Sequence, residues 1–569
     1  KYINDKVKDV TFALEQACFI VAENISDNAN FRKYIRNNMG KFGILKSVKK
    51  KKCEDSAKTY EMYYDYNEPI KYIKSHRILA INRGEKEGIL SVSIEIDDSY
   101  IEEYLRRKLI HKNNEASKYL ELSIKDALKR LILPSVEREI RAYLTDSASD
   151  SAIKIFSDNL YNLLMQPPMK SKTVMGFDPA FRTGCKLAVI SPSLEVEHID
   201  VVYPHAPINK YEEAKKKILD LIAKYNIDVI AIGNGTASRE SEEFIANTIK
   251  EAKRKVSYII VNEAGASVYS ASSLAQKEFP DLHVEQRSAV SIGRRLIDPL
   301  SELVKIEPRS IGVGMYQHDI QGKKLDEELN FVVSTAVNSV GVNVNTVSRE
   351  LLSYISGMNK KMIDKLFDYK VKVGKILSRS ELLKVLSPKV YEQAIGFMRI
   401  PDAKEILDKT AIHPESYEVA KKIMAKFNIL EEDIGTKKVE NILQNVNTNS
   451  LAKEVNSDIY TVEDIIKSLI TPSRDPRDDI ESPRLKSDIL TIEDLKIGMA
   501  LEGVVRNVID FGAFVDIGLK NDGLIHISEM SDNYIKHPSD ILSVGDIITC
   551  YVLDINKEKN KVALTLKKK

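Results

Sequence analysis

The segment from residue 499 to residue 528 constrains the fold of this chain more than any other. Its short β-branched runs are interrupted by four glycines, Gly503, Gly512, Gly518 and Gly523. Glycine inside a strand marks a bulge, a sharp bend or a close approach of two backbones. Short strands broken at such intervals are typical of a small, strongly curved β-barrel, which we therefore predict in this part of the chain.

Aromatic side chains occupy distinctive positions in the same segment. Phe511 and Phe514 are three residues apart around a glycine, and His526 follows on the next predicted strand. Oligonucleotide-binding barrels expose such side chains because every nucleobase offers a π-face for stacking. The residues alone leave a second interpretation open, in which both phenylalanines belong to the barrel core.

Basic residues near these aromatics could follow a nucleic-acid backbone. However, residues 491–569 contain 10 Lys and Arg against 12 Asp and Glu, and the whole chain has a net charge of +2. Binding must then come from a local patch and from stacking, and we expect it to be modest and salt-sensitive. The candidates in the barrel are Arg506, Lys520, Lys536 and Lys561.

The length and composition set the class of protein. A chain of 569 residues is too long for one core and predicts several domains. No apolar run is long enough for a transmembrane helix, so we expect no membrane association. The cysteines Cys18, Cys53, Cys185 and Cys550 are far apart and lack metal-binding spacing, which favours a reducing, cytoplasmic setting.

Hydrophobic periodicity divides the chain into regions. Residues 1–170 are predicted to be mostly helical, with a basic stretch at 46–53 that we expect to be a solvated loop. From residue 173, three consecutive strands precede alternating helices and strands, a pattern that predicts a mixed α/β sheet of the RNase-H-like type. Later residues return to helices, and the proline-containing stretch 471–487 is predicted to be a linker.

Two acidic residues end predicted strands of this sheet, Asp178 and Glu263. RNase-H-like nucleases place metal ligands at such positions, but two divalent cations need several converging carboxylates. Asp298 and Glu285 are candidates for a third acid, without a matching sequence context. We therefore interpret Asp178 and Glu263 as a remnant and expect neither a bound metal nor nuclease turnover. A metal-dependent, structure-specific nuclease that uses both acids is the alternative.

Two further motifs concern phosphate groups. The glycine-rich stretch 233–240 lacks the Lys-Ser/Thr ending of a nucleotide-binding loop, so we predict no nucleotide cofactor. Residues 355–361 are typical of a helix-hairpin-helix turn, in which Gly357, Lys360 and Lys361 meet a phosphate backbone at a helix N-terminus. A weaker echo at 387–389 lacks glycine, and we interpret it as scaffold.

Four motifs occur in one order, at residues 76–87, 176–187, 310–319 and in the barrel segment. Together they resemble the Tex family of bacterial transcription accessory proteins. The resemblance implies a helical region, a YqgF/RuvC-like domain with an RNase H fold, a helix-hairpin-helix domain and an S1 RNA-binding domain. It also implies a further N-terminal segment ahead of residue 1. The implied role is nucleic-acid binding linked to transcription, with no settled enzyme activity.

The resemblance also implies roles for individual residues. In S1 domains the RNA-binding face uses two aromatics and a histidine, which match Phe511, Phe514 and His526, while Lys561 matches a basic residue near the last strand. Asn556 stands where S1 domains frequently have an aspartate. The acids of RuvC-like nucleases map to Asp178 and Glu263.

We therefore expect a multidomain α+β protein. The predicted regions are a helical region (1–170), an RNase-H-like α/β domain (171–304), a helix-hairpin-helix domain (305–400), a helical region with a linker (401–490) and an OB-fold barrel (491–569). The predicted function is a non-catalytic transcription accessory factor that binds single-stranded RNA and DNA with little sequence preference, without cofactors. Its partners would include the transcription machinery. A protein-interaction scaffold built on the charged helices of 100–165 and 401–470 is a further alternative.

Overall fold

The computed structural model describes residues 7, 9–56, 58–112, 114–472, 475–480, 485, 495–509, 511–519, 521–535, 538–542, 546–556 and 561–567. The chain separates into two compact units. The first contains Lys1–Phe156 and Gly314–Leu325, and the second contains Ser157–Val313 and Asp326–Lys569.

The first unit combines helices with one small antiparallel sheet, whose strands are arranged in the order β2-β1-β3. Apolar faces of the helices meet the inner face of the sheet in one core. The strands are β1 (Ile44–Lys49), β2 (Asp65–Pro69) and β3 (Leu90–Glu95). The helices are α1 (Val10–Asp27), α2 (Ala29–Phe42), α3 (Ser75–Lys86), α4 (Ser99–Leu109), α5 (Glu115–Asp126) and α6 (Leu133–Leu164).

The basic stretch that begins at Lys46 corrects one prediction. Its first four residues belong to β1 and not to a loop. Leu45 and Ser47 face the core at 3% and 0% exposure, so the alternation of a strand directs Lys46 outward. There its ammonium pairs with Glu95 at 3.2 Å. The run of lysines suggested a loop, although Leu45 and Ser47 on the other face of this strand are buried.

Two of the four motifs that carry the family resemblance meet in the first unit. Arg83, from the motif at 76–87, donates to Asp319 at 2.6 Å between Nε and Oδ2. The same guanidinium lies 4.5 Å from the ring centroid of Tyr316. Tyr316 has a left-handed backbone with φ of 69°, a conformation that needs support from its surroundings. Both motifs thus form one packed structural element.

The predicted α/β domain is present in the second unit. Its five-stranded sheet has the order β6-β5-β4-β7-β8, in which β4, β7 and β8 are parallel and β5 and β6 antiparallel to their neighbours. The strands are β4 (Val174–Asp178), β5 (Cys185–Ile190), β6 (Val196–Val202), β7 (Val229–Gly233) and β8 (Ser257–Val261). The helices are α7 (Tyr211–Tyr225), α8 (Ser238–Ile249), α9 (Ala266–Ala271), α10 (Ser273–Glu278), α11 (Val284–Ile297) and α12 (Pro299–Leu303).

Apolar layers cover both faces of this sheet. Helices α7 and α8 pack on one face and α11 packs on the other. The approach of α11 to β4 is close, because a Cβ atom at Gly176 would overlap the carbonyl oxygen of Ala289. This contact places the second turn of α11 against the middle of β4, two residues before Asp178.

The region after the sheet is helical, as predicted, with one short parallel pair of strands, β9 (Val342–Asn343) and β10 (Met398–Arg399). Among the described residues, no helix is both long enough and apolar enough to cross a membrane. The helices are α13 (Gly322–Val340), α14 (Arg349–Ser353), α15 (Lys360–Val373), α16 (Pro388–Ala394), α17 (Tyr417–Lys426), α18 (Lys437–Leu443), α19 (Thr448–Val455) and α20 (Ile459–Ile470).

A buried arginine joins the helices before and after residue 400. Arg379 is 1% exposed, and its guanidinium donates to the carbonyl oxygens of Met398, Thr410 and Ile412 at 2.7–2.8 Å. It also donates to the hydroxyl of Tyr417 at 2.7 Å. The three carbonyls belong to buried residues, and a buried carbonyl oxygen needs a hydrogen-bond donor, so one side chain serves four acceptors.

Part of the predicted linker is anchored. Arg477 is 5% exposed. Its guanidinium binds Asp475 through two hydrogen bonds of 2.8 and 2.9 Å, and it pairs with Asp298 at 2.8 Å. The described residues 475–480, which belong to the predicted linker, are therefore fixed to the RNase-H-like domain. Most of the remainder of 471–487 lies outside the described residues.

A closed five-stranded barrel, the predicted OB-type barrel, occupies the end of the second unit. The strand order is β11-β12-β13-β15-β14, with β13 and β15 parallel. Gly503 and Gly512 allow the strands to cross closely, because a Cβ at either position would overlap a neighbouring strand. The strands are β11 (Ala500–Ile509), β12 (Gly512–Asp516), β13 (Gly523–His526), β14 (Ile547–Asn556) and β15 (Lys561–Thr565).

Candidate nucleic-acid interface and carboxylate site

The two phenylalanines of the barrel lie outside its core. On β12, Ala513 and Val515 face inward at 0% exposure, and strand alternation therefore directs Phe514 outward, where it is half-buried. Phe511 precedes the strand and is 52% exposed. Both rings are accessible to a planar ligand, which favours a stacking surface over the alternative that they fill the core.

His526 lies at the same end of the barrel. It is exposed and pairs in register with Gly512 on β12, while Phe514 pairs with Leu524. His526 and Phe514 are therefore diagonal neighbours, whose Cα atoms are about 7–8 Å apart in such a pair. The backbone N–H of Ile527 donates to the carbonyl of Phe511 at 2.9 Å, which ties the loop of Phe511 to the residue after His526. The structure thus brings the three predicted stacking residues together.

The predicted basic residues differ in their surroundings. Arg506 lies at an irregularity in the pairing of β11 and forms an ion pair with Asp516 at 2.6 Å. Because the Arg506 side chain is 45% exposed, this pair is worth only about 0–1 kcal/mol and a phosphate can compete for it. Lys561 is exposed at the start of β15, opposite Asn556. Lys520 and Lys536 lie outside the described residues.

The predicted hairpin precedes helix α15. Gly357 has φ of 81°, the left-handed conformation that a tight turn requires. The Asn359 side chain caps the helix by accepting the N–H of Met362 at 3.1 Å. Lys360 and Lys361 are exposed at the first turn of a 14-residue helix. This geometry offers an anion both a positive helix end and two ammonium groups.

A second hairpin, at Gly435, was not predicted from the sequence. Gly435 has φ of 81° and is followed by Thr436, Lys437 and Lys438 at the start of α18. The signal was present, because 434–438 repeats the order of an isoleucine, a glycine and a lysine pair found at 355–361. At the predicted echo, by contrast, α16 begins with a proline and no glycine precedes it.

The first acid of the candidate remnant is Asp178, the last residue of β4. Its register partner on β5 is Lys186. Ser288, on the second turn of α11, hydrogen-bonds to the Asp178 carboxylate. Burial, with a smaller contribution from the charge of Glu263, raises the pKa of Asp178 to about 6. The carboxylate therefore lies in a setting that favours its neutral form.

The second acid, Glu263, follows β8. Its backbone N–H donates to the side-chain oxygen of Asn234 at 3.0 Å, and its carboxylate accepts the N–H of Gly235. A Cβ at Gly233 or Gly235 would overlap this carboxylate, so both glycines are needed for it to lie against the loop. Burial raises the pKa of Glu263 as well.

The structure separates the two candidates for a third acid. Glu285, on α11, forms an ion pair with Lys186 and contributes to the electrostatic surroundings of Asp178. Asp298 instead caps α12, where it accepts the Ser301 hydroxyl at 2.5 Å and pairs with Arg477. Among the described residues, no group of three or more His, Cys, Asp or Glu side chains is arranged to hold a metal ion.

Known families match the chain along most of its length. The description "Tex central region-like" covers residues 1–156, and "Tex protein YqgF-like domain" covers 172–297. A "Helix-hairpin-helix motif" covers 337–399, an "HHH domain" covers 405–477 and an "S1 RNA binding domain" covers 494–567. The chain is 38% identical to "Protein tex" of Bordetella pertussis, over 100% of this chain and 74% of that protein. The chain belongs to the Tex family.

Two further relatives are similar over a comparable length, and one of them bears the family name. The Tex-family chain is 51% identical to "Uncharacterized protein YdcI" of Bacillus subtilis, over 98% of this chain and 78% of the relative. It is 37% identical to "Transcriptional accessory protein Tex" of Neisseria gonorrhoeae, over 100% of this chain and 75% of the relative.

These matches confirm the family and the fold class inferred from the sequence. The S1 match supports nucleic-acid binding by this Tex-family chain. The matched ranges also add a feature, because the HHH domain at 405–477 contains the hairpin at Gly435 and falls where only helices and a linker were predicted. The domain boundaries given above remain predictions.

Proposed function

We propose that this Tex-family chain is a non-catalytic transcription accessory factor that binds single-stranded RNA and DNA with little sequence preference, chiefly through the barrel. The observation that carries the proposal is the clustering of Phe511, Phe514 and His526 at one end of the barrel, outside its core. Stacking tolerates any base, because each base has a π-face. The link to transcription comes from the similarity to the transcriptional accessory protein Tex of Neisseria gonorrhoeae.

The hairpins extend the proposal to DNA backbones. Gly357, Lys360 and Lys361 present a helix N-terminus and two charges, which suit phosphate groups, and contacts to phosphates carry no sequence information. Contacts with the transcription machinery belong to the proposal too. So does a cytoplasmic location, which the four free cysteines support.

Absence of nuclease turnover is the second part of the proposal. Support comes from the surroundings of the acids: Glu263 lies on the backbone of Gly235, Asp178 bonds Ser288, and Glu285 pairs with a lysine. Each carboxylate is held by protein groups. The RuvC-like nuclease remains the alternative, favoured by the position of Glu285 beside Asp178.

The main test is the affinity of the full chain for a short single-stranded RNA. Phe514→Ala is expected to weaken binding by about 1–3 kcal/mol, roughly 5- to 150-fold, because one stacking platform is lost. The matched control is Phe331→Ala, which removes a phenylalanine that is 68% exposed on α13.

Deletion of residues 491–569 should abolish most of the binding. Equal affinities of the Phe514 and Phe331 variants, or retention of wild-type affinity after the deletion, would refute the assignment of the barrel as the main binding site. Unequal affinities for homopolymers of different bases, beyond about tenfold, would refute sequence tolerance.

A further inference from the structure

Lys186 is a buried charge in the sheet of the YqgF-like domain. Its side chain is 6% exposed, although an ammonium group loses strong hydration when it is buried. It lies on β5 directly opposite Asp178 on β4. Directly opposed residues of an antiparallel pair have Cβ atoms about 4.5–5.5 Å apart. The lysine therefore enters the carboxylate site from the neighbouring strand.

The ammonium group is fully coordinated by oxygen. It donates to the carbonyl oxygen of Thr183 at 3.0 Å and to the hydroxyl of the same residue at 2.6 Å, and it pairs with the carboxylate of Glu285. Three acceptors match its three protons. The negative charge of Asp178 adds a longer-range attraction. Carboxylate, hydroxyl and carbonyl oxygens are also the ligands that hard metal cations prefer.

RNase-H-like nucleases hold divalent metal ions at this edge of the sheet, and the donor set of this chain does not fit such ions. A two-metal site needs several carboxylates that are free to converge. Here Glu263 is turned onto the backbone of Gly235. The oxygens of Thr183 and Glu285 already surround Lys186, and Ser288 bonds Asp178 itself. The Lys186 ammonium already supplies a positive charge beside Asp178 and Glu285.

We infer that the Lys186 ammonium is the resident cation of this carboxylate site, in the place where a nuclease of this fold holds a divalent metal ion. The wild-type chain then binds no divalent ion at Asp178. Removal of the ammonium leaves Asp178 and Glu285 uncompensated beside the oxygens of Thr183, and a divalent ion can take its place. This inference goes beyond the proposed lack of turnover, since it concerns occupancy by metal and not cleavage.

The test is a Mn²⁺ titration of the full chain followed by electron paramagnetic resonance of the free ion. Lys186→Ala is expected to bind one Mn²⁺ per chain more than wild type, and the additional ion should be lost again when Asp178→Asn is added. Lys217→Ala is the matched control, because Lys217 also pairs with a carboxylate of this sheet, Asp200, at 2.7 Å. It should leave the Mn²⁺ count unchanged.

Thermal unfolding gives a second measurement. Mn²⁺ at about 100 times its Kd should raise the Tm of the Lys186→Ala protein by about 5–10 °C and leave that of wild type unchanged. No extra ion in Lys186→Ala would overturn the inference. If that variant does not fold, Lys186→Gln takes its place with the same expectation.

A comparison of wild type with Asp178→Asn is independent of the lysine variants. Equal Mn²⁺ counts are expected, and a count lower by one in Asp178→Asn would show that wild type already binds a metal there. Cleavage of nucleic acid by a chain that binds no Mn²⁺ at this site would refute the proposed lack of turnover and leave the present inference intact.

Discussion

Replacement of Arg379 by methionine tests what holds the two helix-hairpin-helix regions together. The side chain is 1% exposed and serves three carbonyl oxygens and one hydroxyl. The hydroxyl of Tyr417 in turn donates to Asp408 at 2.7 Å, and Asp408 is 3% exposed. Methionine has a similar length but donates no hydrogen bond, so the three carbonyl oxygens and the hydroxyl lose this donor.

The expected loss follows from the number of acceptors. An unpaired buried acceptor costs about 1–3 kcal/mol, and the guanidinium serves three carbonyl oxygens and one hydroxyl. These contributions are not additive, because the acceptors are neighbours, so we expect a total of about 3–5 kcal/mol. The control is Arg349→Met. Arg349 is 46% exposed in its ion pair with Asp364, so this variant should lose less than about 0.5 kcal/mol.

Hydrogen exchange is the suitable assay, because a chain of several domains has no single two-state unfolding transition. The backbone N–H of Ile400 donates to the carbonyl of Asp408 at 3.0 Å and that of Thr410 to the carbonyl of Leu407 at 3.1 Å, so both report on this network. A loss of 3–5 kcal/mol accelerates their exchange about 150- to 5,000-fold. Acceleration no greater than in Arg349→Met would refute the reasoning.

Three other predictions concern pH, phosphate contacts and catalysis. Burial raises the pKa of Asp178 from 3.8 to about 6, so the folded protein favours the neutral carboxyl. The stability that the neutral carboxyl contributes is fully present below pH 3.8 and is lost as the pH rises through 6. Asp178→Asn should therefore stabilise the RNase-H-like domain by up to about 3 kcal/mol at pH 8 and by nothing at pH 3.5, as measured by hydrogen exchange at the buried amides of β4. Replacing Lys360 and Lys361 by alanine should flatten the salt dependence of duplex binding by about 1.8 log units per log unit of salt, whereas alanines at Lys421 and Lys422 should leave it unchanged. No cleavage of a four-way junction is expected with Mg²⁺ or Mn²⁺, and cleavage that disappears in Asp178→Ala would establish the nuclease.

Elements with a continuous or alternating apolar pattern were predictable from the sequence. The five residues of β7, Val229–Gly233, are all buried, and a short apolar run between turn residues is typical of such a strand. In β1 the buried positions are Leu45 and Ser47, whereas Ile44 and Val48 are exposed, so the strand lacks the usual alternation of apolar inward and polar outward residues. A serine buried by hydrogen bonding, here to the carbonyl of Tyr63 at 2.9 Å, gives no apolar signal.

The carboxylate site shows a different limit. The positions of Asp178 and Glu263 follow from strand ends and were identified, but the cation opposite Asp178 depends on the register of the β4–β5 hairpin. A shift of one residue would turn Lys186 to the other face. Glu285 reaches the site from a helix about one hundred residues later, through the close contact at Gly176. Neither fact is contained in the local sequence around either acid.

The charge distribution limits how this chain can hold nucleic acid. With a net charge of +2 and a mildly acidic barrel, no large positive field is available, and affinity must come from stacking and a few ion contacts. Arg506 and Lys561 on the barrel would give a single strand a log–log salt slope of about −1.4, because each phosphate contact contributes about −0.7. Stacking on Phe511 and Phe514 adds affinity that salt does not remove. A measured slope steeper than about −4 would mean that cations elsewhere dominate, and it would contradict a barrel-centred mode of binding.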